Sequence, residues 1–183
     1  MKITLSVASI NDAIGRLDTL KSNIEIAQEN TIDILVNKGG KQANIYNSMA
    51  PSSGIEKSKV IYTTTESGKS GYIALTGENA VYDEFGTGEE GASDAHPYKG
   101  EFGLNAYNSG PYVSTHINPF TGKHYWIIPD TYFVPNEYVE NTGYTEGIPS
   151  GKQMYGTDNY IKFIKNSIIE KEFNGAVKKF NKK

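Results

Sequence analysis

Two adjacent carboxylates, Asp83 and Glu84, are among the residues of this chain that are chemically suited to catalysis. Two carboxylates that act as an acid/base pair must face one another so that they can share a proton. Adjacent residues point to opposite faces in a strand, and in a helical turn they diverge by about 100°. The spacing therefore argues against acid/base catalysis by this pair.

The natural candidates for metal ligands are three histidines and a nearby aspartate: His96, His116, His124 and Asp94. Their spacing fits no zinc-ligand motif. The acidic residues between positions 83 and 94 lack the spacing of a twelve-residue calcium loop. The sequence therefore predicts satisfied or solvated histidines, and no bound metal.

The segment Gly68-Lys-Ser70 resembles the end of a phosphate-binding loop. That loop requires a glycine five residues earlier, where Thr63 stands, and a helix afterwards, where a strand is expected. Neither a Gly-x-Ser-x-Gly elbow nor a His-Glu-x-x-His helix occurs. We therefore expect no cofactor and no enzymatic activity.

Composition indicates a globular protein of one domain over residues 1–183, with 37% hydrophobic residues and a net charge of −3. This charge gives no reason to expect a nucleic-acid partner. The absence of cysteine excludes disulfides and thiolate sites. Neither a signal peptide nor an apolar run of roughly 18 residues is visible, so no membrane partner is predicted.

Apolar residues at three-to-four spacing predict helix over residues 9–49, in two or three pieces with one long central helix. Ser9 is the expected cap, the Gly39-Gly40 pair an expected interruption, and Pro51 the stop. The alternating residues 2–7 predict a short strand.

Strand-forming residues on both sides of a Gly-rich loop predict a β-hairpin over residues 58–77. A third strand is expected at 124–128. A C-terminal helix is predicted from about Asp158, with Thr157 or Asp158 as its cap. The expected fold is α+β, with the long N-terminal helix and the C-terminal helix packed on one face of a small antiparallel sheet.

Residues 88–146 are rich in glycine, proline, tyrosine and asparagine and show little periodicity. Such a segment is typical of a functional loop, or of an arm that becomes ordered against a neighbouring subunit. Tyrosine is enriched at protein–protein interfaces, so the tyrosines of this segment fit an intersubunit arm. Anchoring of the loop on its own domain is an equally good interpretation of them.

The stretch before this arm predicts a stiff corner. Tyr82 and Phe85 can anchor it, Gly86 allows a turn at positive φ, and Glu84 can accept hydrogen bonds before the chain leaves through Thr87. A local turn packed on the core is an equally good interpretation of these residues.

The order of these features resembles the small neck or tail-completion proteins of long-tailed bacteriophages. Tyr82, Glu84, Phe85, Gly86 and Thr87 match the Tyr-x-Glu-Phe-Gly-Thr signature of that family. The family also has a preceding Pro-x-x-Gly turn and a later Gly-x-Pro-(Ala/Ser)-Gly segment. In this chain the turn corresponds to Pro51 to Gly54, and the later segment to Gly147-Ile-Pro-Ser-Gly-Lys-Gln-Met154. Many members have a much shorter link where this chain has residues 88–146.

The resemblance implies a structural protein of the virion neck, made in the host bacterial cytoplasm, without a cofactor. It implies a ring of identical subunits joining the portal-side head connector to the tail terminator or tail tube. Ring contacts of this kind are heterologous. The alternative from another class is a polysaccharide- or peptide-binding module, whose surface would consist of exposed aromatic residues: Tyr112, Tyr125, Trp126 and Tyr132.

Overall fold

The computed structural model describes residues 6–50, 57–77, 80–86, 96–98, 113–117, 124–127, 144–145 and 150–181, with backbone only between 113 and 145. Its class is α+β, as predicted. The chain forms two compact units. The first unit comprises Met1–Gly39, Tyr62–Tyr72 and Tyr160–Lys183, and the second unit comprises Gly40–Ile61 and Ile73–Asn159.

Helix α1 runs without interruption from Val7 to Met49, so the predicted division into two or three pieces is wrong. Gly39 and Gly40 are buried within it, and packing outweighs their intrinsic cost of about 1 kcal/mol each. The cap is Ser6 instead of Ser9, because Ser9 N donates to Ser6 Oγ at 3.1 Å and Ser6 N donates to Ser9 Oγ at 3.0 Å. Val7 is thus helical and Ser6 is its cap, so the predicted strand is wrong at these two residues, while residues 2–5 lie outside the described part of the chain.

Two strands form the predicted hairpin, β1 (Lys59–Thr64) and β2 (Gly71–Thr76). Thr65 N donates to Ser70 O at 2.9 Å and closes the loop, in which Gly68 has φ 64°. Within the first unit the hairpin end lies against α1. A Cβ on Gly71 would come within 2.5 Å of Val36 Cγ2, so only glycine allows this approach.

A short helix, α2 (Ala80–Phe85), follows the hairpin, and a second sheet comes after it. The second sheet contains β3 (Val113–Ile117), β4 (His124–Ile127) and β5 (Tyr144–Thr145), in the order β3-β4-β5 and with antiparallel pairing. The predicted third strand therefore exists as β4 but belongs to a separate sheet and not to the hairpin. The rest of 88–146, on which the predicted arm falls, lies almost entirely outside the described residues.

Helix α3 (Gln153–Asn181) begins five residues before the predicted start at Asp158. In the first unit it runs antiparallel to α1, since Arg16 lies 5.3 Å over the Phe180 ring while Asn30 Nδ2 donates to Glu172 Oε2 at 3.4 Å. Small residues close this contact, with Ala27 and Ala176 both buried.

The buried faces of the two long helices differ from the predicted stripes. On α3, Ile168 is buried as expected, but Ile169 and Val177 are exposed. On α1, Ile14 and Leu17 were expected to face a partner surface, and both are more than half exposed. The described residues of the first unit therefore leave the beginning of α1 uncovered.

Candidate functional site

The predicted corner is a helix end. Helix α2 ends at Phe85, and Gly86 follows with φ 72°, which confirms the predicted positive φ and is the usual left-handed residue after a helix. The two carboxylate residues of α2 are buried, Asp83 with 0% and Glu84 with 5% of their surface exposed. Burial of two carboxylates is costly unless each is fully hydrogen-bonded.

The Glu84 carboxylate is the N-terminal cap of α3. Oε2 accepts from Met154 N at 2.8 Å, and Oε1 accepts from Tyr155 N at 3.0 Å. With its side-chain amide nitrogen directed at the carboxylate, Gln153 also donates to Oε2 at 2.9 Å. These two N–H groups belong to the first turn of α3, where the helix itself offers no acceptor. A negative charge at this position also interacts favourably with the helix dipole. Glu84 therefore takes the role that the sequence assigned to Thr157 or Asp158.

The backbone makes the reverse connection. Glu84 O accepts from Lys152 N at 3.1 Å and from Ser150 Oγ at 2.7 Å, and Asp83 O accepts from Gly151 N at 2.9 Å. A Cβ on Gly151 would lie 2.5 Å from Asp83 O, so the approach requires glycine. Lys152, whose N–H is bonded in this junction, takes a positive φ of 51°, which is uncommon for a residue other than glycine. The end of α2 and the start of α3 thus satisfy each other's free backbone groups.

His96 completes the set of donors to Glu84. Its Nε2 lies 2.9 Å from Glu84 Oε1, and Tyr98 N lies 3.0 Å from its Nδ1. A backbone N–H can only donate, so Nδ1 is the acceptor and Nε2 carries the proton that is donated to the carboxylate. Because the Nδ1 lone pair is already engaged, this arrangement leaves His96 no free lone pair to act as a general base.

Aromatic rings surround this contact. The His96 ring centroid lies 4.3 Å from that of Phe85 and 5.6 Å from that of Tyr155. Tyr98 and Tyr155 pack edge to face at 5.6 Å. The rings exclude water from the Glu84 and His96 pair, which strengthens its hydrogen bonds.

Asp83 extends the network to the end of α1. Its Oδ2 accepts from Ser58 N at 3.2 Å and from the Ser58 hydroxyl in a short hydrogen bond. Ser58 O in turn accepts from Asn47 Nδ2 at 2.7 Å. All three residues are buried. The two adjacent carboxylates hold different partners, so they do not form a proton-sharing pair.

We call this network the joint. Its members are buried polar residues from five segments of the second unit: Asn47, Ser58, Asp83, Glu84, His96, Ser150, Gln153 and Thr157. Among the described residues, Thr31 is the other buried polar residue. Hydrogen bonds to charged groups contribute about 1.5–3 kcal/mol each, and a buried group that loses its partner costs a similar amount. The joint therefore fixes one arrangement of these segments.

A cavity of about 400 Å³ lies beside the joint and is lined mainly by apolar side chains. Three consecutive residues of β2, Ile73, Ala74 and Leu75, line it together with Phe85 and Tyr98. Successive strand side chains point to opposite faces, so a cavity lined by all three lies along the edge of β2.

The structure places the five predicted corner residues as follows. Glu84, Phe85 and Gly86 lie at the joint, with Phe85 half-buried; Tyr82 lies in α2, and Thr87 is outside the described residues. The sequence analysis missed Ser58, Asn47 and the role of Ser150. The Ser-Gly-Lys-Gln run was the only local signal, since glycine and a small polar residue before a helix are typical of a capped start.

Of the three histidines, His96 is satisfied within the protein as predicted, while the side chains of His116 and His124 lie outside the described part. In the described ranges no group of three His, Asp or Glu side chains is arranged to hold a metal ion. None of the helices described combines the length and apolar character needed to cross a membrane.

Comparisons with known proteins gave no match: no protein-family model fits the chain, and no curated protein or solved structure is significantly similar to it.

Proposed function

We propose that this protein is a structural subunit of the neck of a long-tailed bacteriophage, assembled with copies of itself into a ring between the head connector and the tail. The role is mechanical, without cofactor or catalysis. Its partners are the neighbouring copies, the portal-side protein on one side and the tail terminator or tail-tube protein on the other.

One observation carries the proposal. The two stretches that resemble the neck family, Tyr82–Thr87 and Gly147–Met154, are far apart in the sequence, yet their described residues meet in the joint. Glu84 bonds with Ser150, Lys152 and Met154. Because the two family-like segments are bonded directly to each other, one structural feature accounts for both, which supports a common architectural role.

The position of the joint fits a subunit with an assembly arm. Gly86 directly follows the joint at the end of α2, the segment 88–146 begins two residues later, and the chain returns to the joint at His96. An arm that starts from a fully hydrogen-bonded helix end has a fixed origin, which lowers the entropy lost when it docks on a neighbour.

Assembly of the purified protein tests the proposal. We expect light scattering to give a mass several times that of one chain, and negative-stain images to show closed rings, alone or after mixing with the products of adjacent head-connector and tail-tube genes. A protein that stays monomeric in every mixture, from a locus without portal, capsid or tail genes, would refute it.

Hydrogen exchange tests the arm separately. If the other residues of 88–146, outside 96–98 and the strands β3, β4 and β5, order on a neighbouring copy, their amides should gain protection on assembly, while the amide of Tyr155 in the joint should be protected in both states. Equal, strong protection of 88–146 in monomer and ring would contradict the arm.

A peptide-binding module is the second candidate, and the cavity along the edge of β2 favours it. An extended peptide could add a strand to such an edge and place an apolar side chain in the cavity. A monomeric protein that binds apolar peptides saturably, with binding lost on Leu75→Glu, would favour this function over the neck.

A further inference from the structure

The short turn at residues 96–98 is bonded to the joint through a buried titratable side chain, His96. The Nε2 atom donates to Glu84 Oε1 at 2.9 Å, and Nδ1 accepts from Tyr98 N at 3.0 Å. The residue is only 4% exposed. Histidine is the side chain whose charge ordinarily changes between about pH 5 and pH 8. A proton added to this ring therefore enters a site in which both nitrogens already hold a partner.

The local sequence explains why Nδ1 is engaged. The next residue, Pro97, has no N–H group, so the first backbone donor after His96 is Tyr98 N. The imidazole ring closes its own turn, as asparagine and aspartate side chains do when they accept from the backbone two residues further on. This closure requires the lone pair on Nδ1.

A second proton on the ring removes that lone pair. Both nitrogens of an imidazolium are donors, so the Nδ1–H group and the Tyr98 N–H group would point at each other across 3.0 Å. A buried polar group that loses its partner costs free energy. The neutral ring can close the turn, and the charged ring cannot.

The groups that face His96 decide which of its two hydrogen bonds breaks. The carboxylate of Glu84, on α2, attracts a positive charge on the ring, so the Nε2 bond is kept. Helix α3 presents the Tyr155 ring at 5.6 Å and contributes Asp158 to the neighbouring cavity, while the Tyr98 ring lies at 5.8 Å. The residues of β2 that line this cavity are apolar, and its described lining includes no lysine or arginine. The bond that gives way is therefore the one to Tyr98.

We propose that uptake of a proton by His96 opens the turn at Tyr98, while Glu84 keeps the end of α2 bonded to the start of α3. The backbone donors to the carboxylate, Met154 N and Tyr155 N, do not titrate, so they keep their bonds. Acid thus releases the point at which the chain returns to the joint and leaves the rest of the joint closed. The device depends on the contacts of His96 and not on the neck function.

Hydrogen exchange at single amides tests this device, with each rate divided by that of an unstructured peptide at the same pH. Protection of the Tyr98 amide should fall by at least about tenfold between about pH 8 and pH 5, because a lost hydrogen bond and two opposed donors act together. Protection of the Tyr155 amide should change by less than about twofold, because that part of the joint stays closed. Unchanged protection of Tyr98, or an equal loss at both amides, would overturn the proposal.

The variant His96→Gln separates this ring from other titrating groups. Its amide can still donate to Glu84 but does not titrate, so protection of the Tyr98 amide should be the same at both pH values. The matched control is His116→Gln, which removes a histidine of β3 and should leave the response of the wild type unchanged. A loss of protection that persists in His96→Gln would refute the role of the ring.

The wild-type protein offers a test without any substitution. Because the opening is linked to one protonation, the NMR shift of His96 Nδ1 and the protection of the Tyr98 amide should change with the same midpoint pH. Midpoints that differ by more than about one pH unit would refute the coupling.

Discussion

The substitution Glu84→Gln tests the joint with almost no change in side-chain shape. Its amide nitrogen replaces one carboxylate oxygen, so two of the four donors at Glu84 would face an N–H group instead of an acceptor. Each such loss costs about 1.5–3 kcal/mol at a charged, buried group. Gln153 can turn its own amide and recover part of this. We therefore expect the free energy of unfolding to fall by about 4 kcal/mol, which a domain stable by 5–15 kcal/mol survives.

Denaturant unfolding followed by circular dichroism measures this change. The control is Glu170→Gln, an exposed carboxylate on α3, which should stay within about 0.5 kcal/mol of the wild type. Hydrogen exchange should localise the effect, with faster exchange at the amides of Met154 and Tyr155 and no change at Ile168. A loss below about 1 kcal/mol for Glu84→Gln, with unchanged exchange at the start of α3, would refute the capping role.

Three further substitutions should separate the parts of the joint in the same unfolding assay. Gly151→Ala places a Cβ 2.5 Å from Asp83 O and should lower the free energy of unfolding by about 2 kcal/mol. The control is Gly175→Ala, whose Cβ would have nothing within 4 Å and should raise the free energy of unfolding by about 0.5–1 kcal/mol. An unchanged stability for Gly151→Ala would contradict the close approach. Ser58→Ala removes the hydroxyl donor to Asp83 and should lower the free energy of unfolding by about 1–3 kcal/mol. Because the two side chains are bonded, Asp83→Asn should cost less in the Ser58→Ala background than in the wild type. An equal cost in both backgrounds would contradict this expectation. Phe85→Ala should lower the free energy of unfolding by about 1–2 kcal/mol, because the ring is only half-buried, against His96. The loss for a fully buried aromatic residue is about 3–5 kcal/mol, and a loss of that size would show that Phe85 belongs to the core.

Local signals predicted the features that local chemistry determines. The hairpin was found within one or two residues of its predicted bounds, because β-branched strands and a glycine-containing loop lie next to each other in the sequence. The left-handed turn at Gly86 was predicted for the same reason. The existence of both long helices followed from their apolar periodicity.

Features that depend on distant residues were missed. The start of α3 was placed five residues late because its cap is the side chain of Glu84, about 70 positions earlier in the chain. Ser58 and Asn47 carried no pattern at all, since a serine and an asparagine acquire a role only when folding brings them to Asp83. Periodicity also cannot show whether an apolar stripe is covered, and so Ile14 and Leu17 were assigned to a packed face.

The chain separation within the joint has a consequence for synthesis. Glu84 cannot obtain its two backbone donors until the ribosome has made Met154 and Tyr155, 70 and 71 residues later, and these have left the exit tunnel. At a synthesis rate of about 5–20 residues per second, the carboxylate therefore lacks these donors for several seconds, while α1 can already be helical. A chain that terminates before Met154 lacks both backbone donors, so an incomplete product cannot close the joint and should be removed by proteases.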